Sequence, residues 1–176
     1  MTHIDYTLYL VTDRSVMSAK SLEQAVEQAI QGGCTVVQLR EKYASSREFF
    51  ETAQRVKQIT DSYHIPLIIN DRTDICLAVN AAGIHIGQQD LPAKIVRSMV
   101  GPDKIIGVSA ATLSEAIQAE QDGADYLGVG AMFATSTKTN TRPVTIERLT
   151  QIKQAVQIPV VAIGGIQSSN VTTLTD

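Results

Sequence analysis

The residues whose spacing is most informative for chemistry lie at the end of a short apolar run, TVVQLR, at residues 35–40. Successive side chains of a strand point to opposite faces, so Gln38, Arg40 and, in an extended chain, Lys42 point one way and Leu39 the other. An arginine and a lysine aimed into one concavity are costly to desolvate without anionic partners. The pattern favours a phosphate or diphosphate site. The paired N–H donors of an arginine and the compact charge of a lysine ammonium group both suit phosphate oxygens.

The same two cations have a structural alternative, because acidic residues follow neighbouring strands. Arg40 and Lys42 could instead form a network of salt bridges with Asp13, Glu41 or Asp71 around a rim. Such a network would hold the loops together without binding a ligand. The phosphate site is preferred, and the salt-bridge network stays open at this point.

Two carboxylates, Asp71 and Asp90, follow the next two apolar runs. Beside a basic cluster they could hold Mg²⁺, a hard cation that takes a few carboxylates and substrate phosphates as oxygen ligands. Helix capping is the alternative, since each residue precedes a predicted helix and could accept its free N–H groups. For Asp90, which is followed by Leu91 and Pro92, both interpretations remain open.

Two later loops carry groups that could bind a second anion. The loop at residues 130–142 is either a flexible hydroxyl-rich segment or a lid that grips a phosphate, and its length after a strand favours function. Its candidate ligands are Thr135, Ser136, Thr137 and Lys138. The pair Gly164–Gly165 follows the last apolar run and is either a tight turn or a place where the backbone can approach a phosphate.

Other chemistry-bearing residues give less specific signals. His85, inside the motif GIHIG, is interpreted as a satisfied core or rim histidine rather than a catalytic base. Cys34 and Cys76 lack metal-ligand spacing and are expected to be buried thiols of a cytoplasmic protein. The sequence contains neither an HExxH motif nor a Ser/His/Asp arrangement typical of nucleophilic catalysis.

The elements that must position these residues are short apolar strands alternating with amphipathic helices. The predicted strands cover residues 8–12, 35–40, 66–70, 84–86, 104–109, 125–129 and 159–163. The predicted helices cover residues 21–31, 47–63, 74–80, 113–121 and 145–156, with further helices beginning near 92 and 169. The strands are rich in Val, Ile and Leu, as strands buried on both faces are, and the alternation implies right-handed parallel crossovers.

Two architectures fit this alternation: a (β/α)₈ TIM barrel and an open doubly wound sheet. A dinucleotide-binding open sheet would carry a GxGxxG turn after an early strand, and the sequence has none. Polar residues follow all seven strands, among them Asn70 and Ser109, and a TIM barrel gathers such residues on one rim. We therefore predict a single α/β barrel domain over residues 1–176.

Composition limits the kinds of partner. The chain has 176 residues, 44% of them hydrophobic, and a net charge of −3 from 15 basic and 18 acidic side chains. A slightly acidic surface argues against nucleic acid or anionic membrane as the main partner. No apolar run is long enough to span a bilayer. The composition leaves room for a small anionic ligand held by a local basic cluster, and a homo-oligomer is compatible with the sequence.

Short collinear motifs across almost the whole chain resemble the thiamine-phosphate synthase family. They are YLVTD at 9–13, QLREK at 38–42, INDR at 69–72, GIHIGQQDL at 83–91, GVS at 107–109, TSTK at 135–138 and AIGGI at 162–166. The resemblance implies a TIM-barrel transferase that joins hydroxymethylpyrimidine diphosphate to thiazole phosphate. Its products would be thiamine phosphate and diphosphate.

The resemblance also implies a role for each matching residue. The pyrimidine diphosphate would be bound by Gln38, Leu39, Arg40, Glu41, Lys42, Asn70, Ser109 and Lys138. The thiazole phosphate would be bound by Thr135, Ser136, Thr137 and Gly165. Mg²⁺ would be held by Asp71 and Asp90. The groups assigned to catalysis are Arg40, Lys42, Lys138 and Ser109.

Two alternatives and one departure accompany the resemblance. Thiazole tautomerases share the barrel but lack the diphosphate and Mg²⁺ machinery, so the synthase is favoured by Lys42, Asn70, Asp71 and Asp90. A non-catalytic phosphate-binding barrel is the other alternative. The chain stops at Asp176, before the eighth strand and final helix of the family pattern. The resemblance therefore implies weak binding of thiazole phosphate and marginal stability, since terminal strands would have unpaired edges.

Overall fold

The computed structural model describes residues 4–135 and 142–174, and these form one parallel sheet wrapped by helices. The strands are β1 (Tyr9–Val11), β2 (Val36–Leu39), β3 (Leu67–Asn70), β4 (Gly83–Ile86), β5 (Ile105–Ala110), β6 (Tyr126–Val129) and β7 (Val160–Ala162). They pair in sequence order, each parallel to the next, in a nearly closed barrel. The predicted α/β barrel class is confirmed, with seven strands in the described part of the chain.

The helices alternate with the strands as predicted. They are α1 (Leu22–Gln31), α2 (Ser46–Ser62), α3 (Thr73–Ala78), α4 (Ala93–Val100), α5 (Leu113–Gln121) and α6 (Ile146–Ala155). The predicted boundaries shift by only one or two residues. The exception is the helix expected from residue 169, where the described residues form a single 3₁₀ turn, Val171–Leu174. None of the described helices has the length and apolar character needed to cross a membrane.

Polar side chains at the helix starts explain where several helices begin. The Ser45 hydroxyl accepts from the Glu48 N–H, and the Glu48 carboxylate accepts from the Ser45 N–H, which is a complete capping box before α2. Thr112 and Glu115 form the same arrangement before α5. Each box satisfies N–H groups that a helix start leaves unpaired. These caps end the loops that follow β2 and β5, and so position the loops that carry candidate site residues.

The two faces of the sheet have different contents, because neighbouring side chains on a strand alternate. Val37, Leu39 and Ile69 belong to the apolar cluster that the strands share with the helices. The intervening positions face the barrel interior, and two of them, Gln38 and His85, are buried polar side chains. The interior of this barrel is therefore partly polar, whereas the layer beneath the helices is apolar.

Gly107 makes room for the largest interior side chain. On adjacent strands His85 pairs with Gly107, and Gly107 pairs with Tyr126, so the three residues lie at one level. A Cβ atom on Gly107 would lie 2.1 Å from Cζ of Tyr126. The Tyr126 ring thus occupies the space that a side chain at 107 would fill, and it reaches His85 across the glycine.

At the amino end of β5 and β6, Arg97 fastens helix α4 to the barrel. Its guanidinium donates to the carbonyl oxygens of Gly101, Lys104 and Gly123 at 3.0, 2.6 and 2.8 Å. It also donates to Oδ2 of Asp125 at 2.5 Å. These contacts serve stability rather than catalysis, because the active sites of TIM barrels lie at the opposite, carboxyl end.

Gly107→Ala is expected to lower the free energy of unfolding by about 1–3 kcal/mol, the usual cost of overpacking an interior. The added methyl group must displace the buried Tyr126 ring. Urea unfolding measures the change. The matched control is Gly32→Ala, where φ is −78° and the nearest atom lies 3.3 Å from the new Cβ, so a change of about 0.5 kcal/mol or less is expected. Equal losses in the two variants would contradict this account of Gly107.

Candidate active site

The first part of the site is a network of charged side chains after β1 and β2. Nη1 of Arg40 lies 3.3 Å from Oδ2 of Asp13, and Nε of Arg14 donates to Oε1 of Glu41 at 2.7 Å. The sequence left a network of salt bridges at the rim as an alternative, and the structure shows that Arg40 and Glu41 take part in such bridges. Lys42 is exposed and takes part in none of the described salt bridges, and its Nζ lies 5.7 Å from the Tyr43 ring centroid.

The charged network borders an open cleft. The cleft has a volume of about 780 Å³, within the range of small-molecule sites. Its walls are the loops after β1 and β2 and the first turns of α2, and include Asp13, Arg40, Lys42, Glu48 and Arg55. An anion entering from this side would meet the two cations that the sequence singles out.

The carboxylates Asp71 and Asp90 follow the adjacent strands β3 and β4, at the same end of the barrel. Asp71 has a φ of 63°, and its N–H donates to the His85 carbonyl oxygen at 2.8 Å. Oδ2 of Asp90 accepts from the Gly87 N–H at 2.7 Å and closes a turn. Metal-ligand clusters of three or more acidic, His or Cys side chains are absent from the residues that the structure describes.

The helix-capping alternative is wrong for Asp90, and Asp71 is not the N-cap residue of helix α3. Helix α3 begins after Arg72 and helix α4 after Pro92, and neither start has a side-chain cap. Each aspartate lies too early in the chain to be the N-cap residue. The Asp90 carboxylate instead bonds the N–H of a residue three positions before it.

A chain of hydrogen bonds crosses the barrel interior and ends at Ser109. Nε2 of Gln38 donates to Oη of Tyr9 at 3.0 Å, and that oxygen lies 2.5 Å from Oη of Tyr126. Oη of Tyr126 lies 2.9 Å from Nδ1 of His85, whose Nε2 lies 2.9 Å from Oγ of Ser109. The interpretation of His85 as a satisfied buried histidine agrees with these contacts.

Burial controls the protonation of the two interior tyrosines. Desolvation raises the pKa of Tyr9 to about 12. Desolvation also raises the pKa of Tyr126 well above its ordinary value, and the neighbouring Tyr9 hydroxyl adds to the effect. Both hydroxyl groups therefore keep their protons across the physiological pH range and can donate hydrogen bonds.

Leu39 and Asn70, two further residues predicted to bind substrate, differ in their exposure to solvent. The Leu39 side chain is fully buried and packs in the cluster between strands and helices. Asn70 is the last residue of β3 and is partly exposed at the carboxyl end. The binding roles of Leu39 and Asn70 stay predictions.

The loop after β7 packs against the loop after β6. Gly165 has a φ of 64°, and a Cβ there would lie 2.4 Å from the Ala134 carbonyl oxygen. Only glycine fits both the backbone conformation and the space. Thr135 adjoins this contact in the chain, whereas Ser136, Thr137 and Lys138 lie outside the described residues. Their predicted roles therefore stay predictions.

Sequence reasoning missed Tyr9 and Tyr126 as parts of the site region. Tyr9 was treated as part of a strand and of the YLVTD motif, and Tyr126 only as a member of a strand, although both lie at interior positions and bond to polar groups. A signal was present in the sequence, since Gly107 and Gly128 interrupt otherwise bulky strands. Glycine inside a strand pattern marks a close approach by another group.

Parallel strands alternating with helices, and polar side chains gathered at the carboxyl ends, define the TIM-barrel class of enzymes. The chain shares its fold with an N-acetylmannosamine-6-phosphate 2-epimerase from Clostridium perfringens. The two are 16% identical with a TM-score of 0.66, and the match covers 95% of this chain and 80% of that chain, so this likeness shows the fold alone. A thiamine phosphate pyrophosphorylase from Pyrococcus furiosus is much more similar. It is 40% identical with a TM-score of 0.86, and the match covers 95% of this chain and 79% of that chain.

Sequence comparison identifies the family. The model described as thiamine monophosphate synthase matches residues 8–176. A thiamine-phosphate synthase from Ruminiclostridium cellulolyticum is 63% identical over 171 residues, covering 97% of this chain and 81% of the relative. One from Clostridium tetani is 60% identical over 172 residues, covering 98% and 82%. The chain belongs to the thiamine monophosphate synthase family, a family of transferases, and the resemblance based on its motifs is confirmed.

Asp13, the salt-bridge partner of Arg40, is expected to make the free energy of unfolding depend on pH. The Ser15 hydroxyl donates to Asp13 at 2.6 Å and, with the Ser15 N–H and Arg40, holds the pKa of Asp13 below its ordinary value of 3.8. The ionised carboxylate therefore stabilises the fold above pH 3.8, and this contribution is lost as the pH falls through the depressed pKa. Asp13→Asn should lower the free energy of unfolding by about 0.5–1 kcal/mol at pH 7.

Urea unfolding of Asp13→Asn and of the original chain, from pH 7 down to acid, measures this difference. The difference should shrink towards zero in acid, where both side chains are neutral. Asp103→Asn, at an exposed loop position on the opposite end of the barrel, is the matched control and should show no difference at any pH. A difference for Asp13→Asn that grows as the pH falls would contradict the assignment.

Proposed function

We propose that this chain joins hydroxymethylpyrimidine diphosphate to thiazole phosphate, giving thiamine phosphate and diphosphate. The observation that carries the proposal is 63% identity to a thiamine-phosphate synthase across 97% of the chain. The rim chemistry supports it, because Arg40, Lys42, Asp71 and Asp90 follow the adjacent strands β2, β3 and β4. Cations and carboxylates at neighbouring strand ends suit a diphosphate.

The reaction requires charge stabilisation more than covalent help from the protein. The bond between the pyrimidine methylene carbon and the diphosphate oxygen breaks, and its electron pair leaves with diphosphate. The aminopyrimidine ring stabilises the resulting cation, and the thiazole nitrogen donates its electron pair to the same carbon. The protein must neutralise charge on the leaving oxygen and align the nucleophile. The absence of a Ser/His/Asp order or an HExxH motif agrees with this chemistry.

Arg40 and Lys42 are the side chains proposed to receive the diphosphate. Arg40 is oriented by Asp13, with 17% of its side chain exposed, and can present its remaining N–H groups to phosphate oxygens. Lys42 is exposed beside the same cleft and supplies a mobile positive charge. Together with Lys138, they would offset the charge that grows on the leaving group.

The second phosphate is assigned to the loops after β6 and β7. Gly165 lets the backbone approach a ligand closely, because it combines a positive φ with absence of a side chain. Thr135 adds a hydroxyl group, and Ser136 and Thr137 would add two more. A phosphate at the last loops of the barrel is a recurrent arrangement in this fold.

The carboxylates Asp71 and Asp90 fit a magnesium ion by their chemistry. Mg²⁺ is commonly held by one or two carboxylates, with waters and substrate phosphates completing its shell, so a third protein ligand is not required. The Gly87 N–H already orients the Asp90 carboxylate through Oδ2. When bound, the ion would supply positive charge to the departing diphosphate.

The test is a thiamine phosphate formation assay with both precursors. The original chain should form product with Mg²⁺, lose activity with a chelator and regain it when Mg²⁺ is restored. Asp71→Ala should lower kcat/KM by about 100-fold, because the metal would lose one of two protein ligands. Asp103→Ala, an exposed acidic residue at the other end of the barrel, should change kcat/KM by less than about twofold.

The outcomes separate the alternatives. Product formation that is unaffected by chelator and by Asp71→Ala would overturn the magnesium assignment. Binding of the pyrimidine diphosphate without turnover would favour a non-catalytic phosphate-binding barrel. Conversion of a thiazole isomer, without use of the pyrimidine diphosphate, would favour a tautomerase.

A further inference from the structure

The hydrogen-bond chain inside the barrel has a direction that its end group sets when each tyrosine hydroxyl group accepts one hydrogen bond and donates one. Nε2 of the Gln38 amide can only donate, so Oη of Tyr9 is an acceptor in that contact. The proton of Tyr9 is then available for Oη of Tyr126, 2.5 Å away. The proton of Tyr126 is in turn available for Nδ1 of His85, 2.9 Å away.

This direction fixes the tautomer of His85. A neutral imidazole carries one proton, so when Nδ1 accepts a hydrogen bond from Tyr126 the proton lies on Nε2. Nε2 then donates to Oγ of Ser109 at 2.9 Å. The Ser109 oxygen accepts that bond, and its own proton is directed away from His85. Ser109 is partly exposed near the carboxyl end of β5, where the proposed substrate would lie.

The chain can maintain this direction because its donors stay protonated and its geometry is held. Burial keeps the pKa of both tyrosines raised, so neither hydroxyl group ionises near neutral pH. The Tyr126 ring packs directly on Gly107, in the space that a side chain there would fill. The His85 ring packs on Gly128 in the same way, since a Cβ there would lie 2.9 Å from Cε1 of His85. Both residues are buried, so their rings are held within the packed interior.

We propose that Tyr126 is a positioning residue: through His85 it turns the hydroxyl group of Ser109 into a hydrogen-bond donor for the bound substrate. The part of this inference that concerns substrate rests on the proposed function, whereas the tautomer is a property of the protein alone. Tyr126 does not touch the substrate in this account. It acts by fixing which nitrogen of His85 is protonated.

The opposite direction is the specific rival. If the Gln38 amide presented its oxygen to Tyr9, or if Tyr9 accepted from both Gln38 and Tyr126, the donors and acceptors from Tyr126 to Ser109 would reverse. His85 would then carry its proton on Nδ1, and Ser109 would donate to Nε2. Ser109 could in that case only accept a hydrogen bond from a ligand. The two directions therefore differ in one measurable quantity, the protonated nitrogen of His85.

Long-range ¹⁵N–¹H NMR of the ligand-free chain measures that quantity. The sequence has three histidines, and His85 is assigned as the residue whose signals disappear in His85→Asn. We expect protonated Nε2 and unprotonated Nδ1 in the original chain, and a shift of the Nδ1 signal in Tyr126→Phe as the hydrogen bond is lost. Tyr6→Phe is the matched control: the Tyr6 ring centroid lies 4.8 Å from that of Tyr126, and the described residues give its hydroxyl no hydrogen bond.

A double-mutant cycle tests whether Tyr126 acts through Ser109. Tyr126→Phe should lower kcat/KM by about tenfold in the original chain, the effect of losing one organised hydrogen bond. In the Ser109→Ala background, the same substitution should change kcat/KM by less than about twofold. Tyr6→Phe should leave activity within about twofold in either background.

Each outcome supports or overturns the inference. A proton on Nδ1 of His85 in the original chain overturns it, as does an equal loss from Tyr126→Phe with and without the Ser109 hydroxyl group. The predicted tautomer with a non-additive cycle supports it. If the original chain forms no thiamine phosphate, the proposed function fails, and the NMR measurement still decides the tautomer.

Discussion

The alternation of side chains along seven parallel strands is the constraint on which the rest of this structure depends. Every second residue faces the helices and must be apolar, as Val37, Leu39 and Ile69 are. The other residues face a narrow interior, where a polar group must find a partner. Gln38 and His85 satisfy that requirement through the tyrosines, and the rim residues continue the same inward rows beyond the strand ends.

The alternation of side chains also places the charged residues of the rim. Arg40 emerges from the row that contains Gln38, at a point where water can still reach it, and pairs with Asp13 in the ligand-free chain. A salt bridge of this kind keeps the guanidinium oriented without neutralising every N–H donor. The salt-bridge network and the diphosphate site, which appeared as rivals in the sequence, are thus compatible. The carboxylate orients the cation, and the cation remains able to meet an anion.

Periodicity was enough to predict the barrel and nearly all of its elements, because buried parallel strands and amphipathic helices have distinct patterns. Family motifs added the identity of the rim residues. The contact made by Asp90 could not be predicted from the sequence. An aspartate in this position can either cap the following helix or accept from the N–H of a preceding residue, and the structure shows the second, with Gly87 as donor. Tyr9 and Tyr126 were missed because they are 117 positions apart, and only the barrel brings their hydroxyl groups together.

The most direct test of the central claim is a crystal structure of this chain grown with Mg²⁺ and inorganic diphosphate. We expect one diphosphate at the carboxyl rim, within hydrogen-bond distance of Arg40 and Lys42, and Mg²⁺ held by the carboxylates Asp71 and Asp90. A diphosphate bound elsewhere, or at the rim but beyond the reach of these four side chains, would contradict the account.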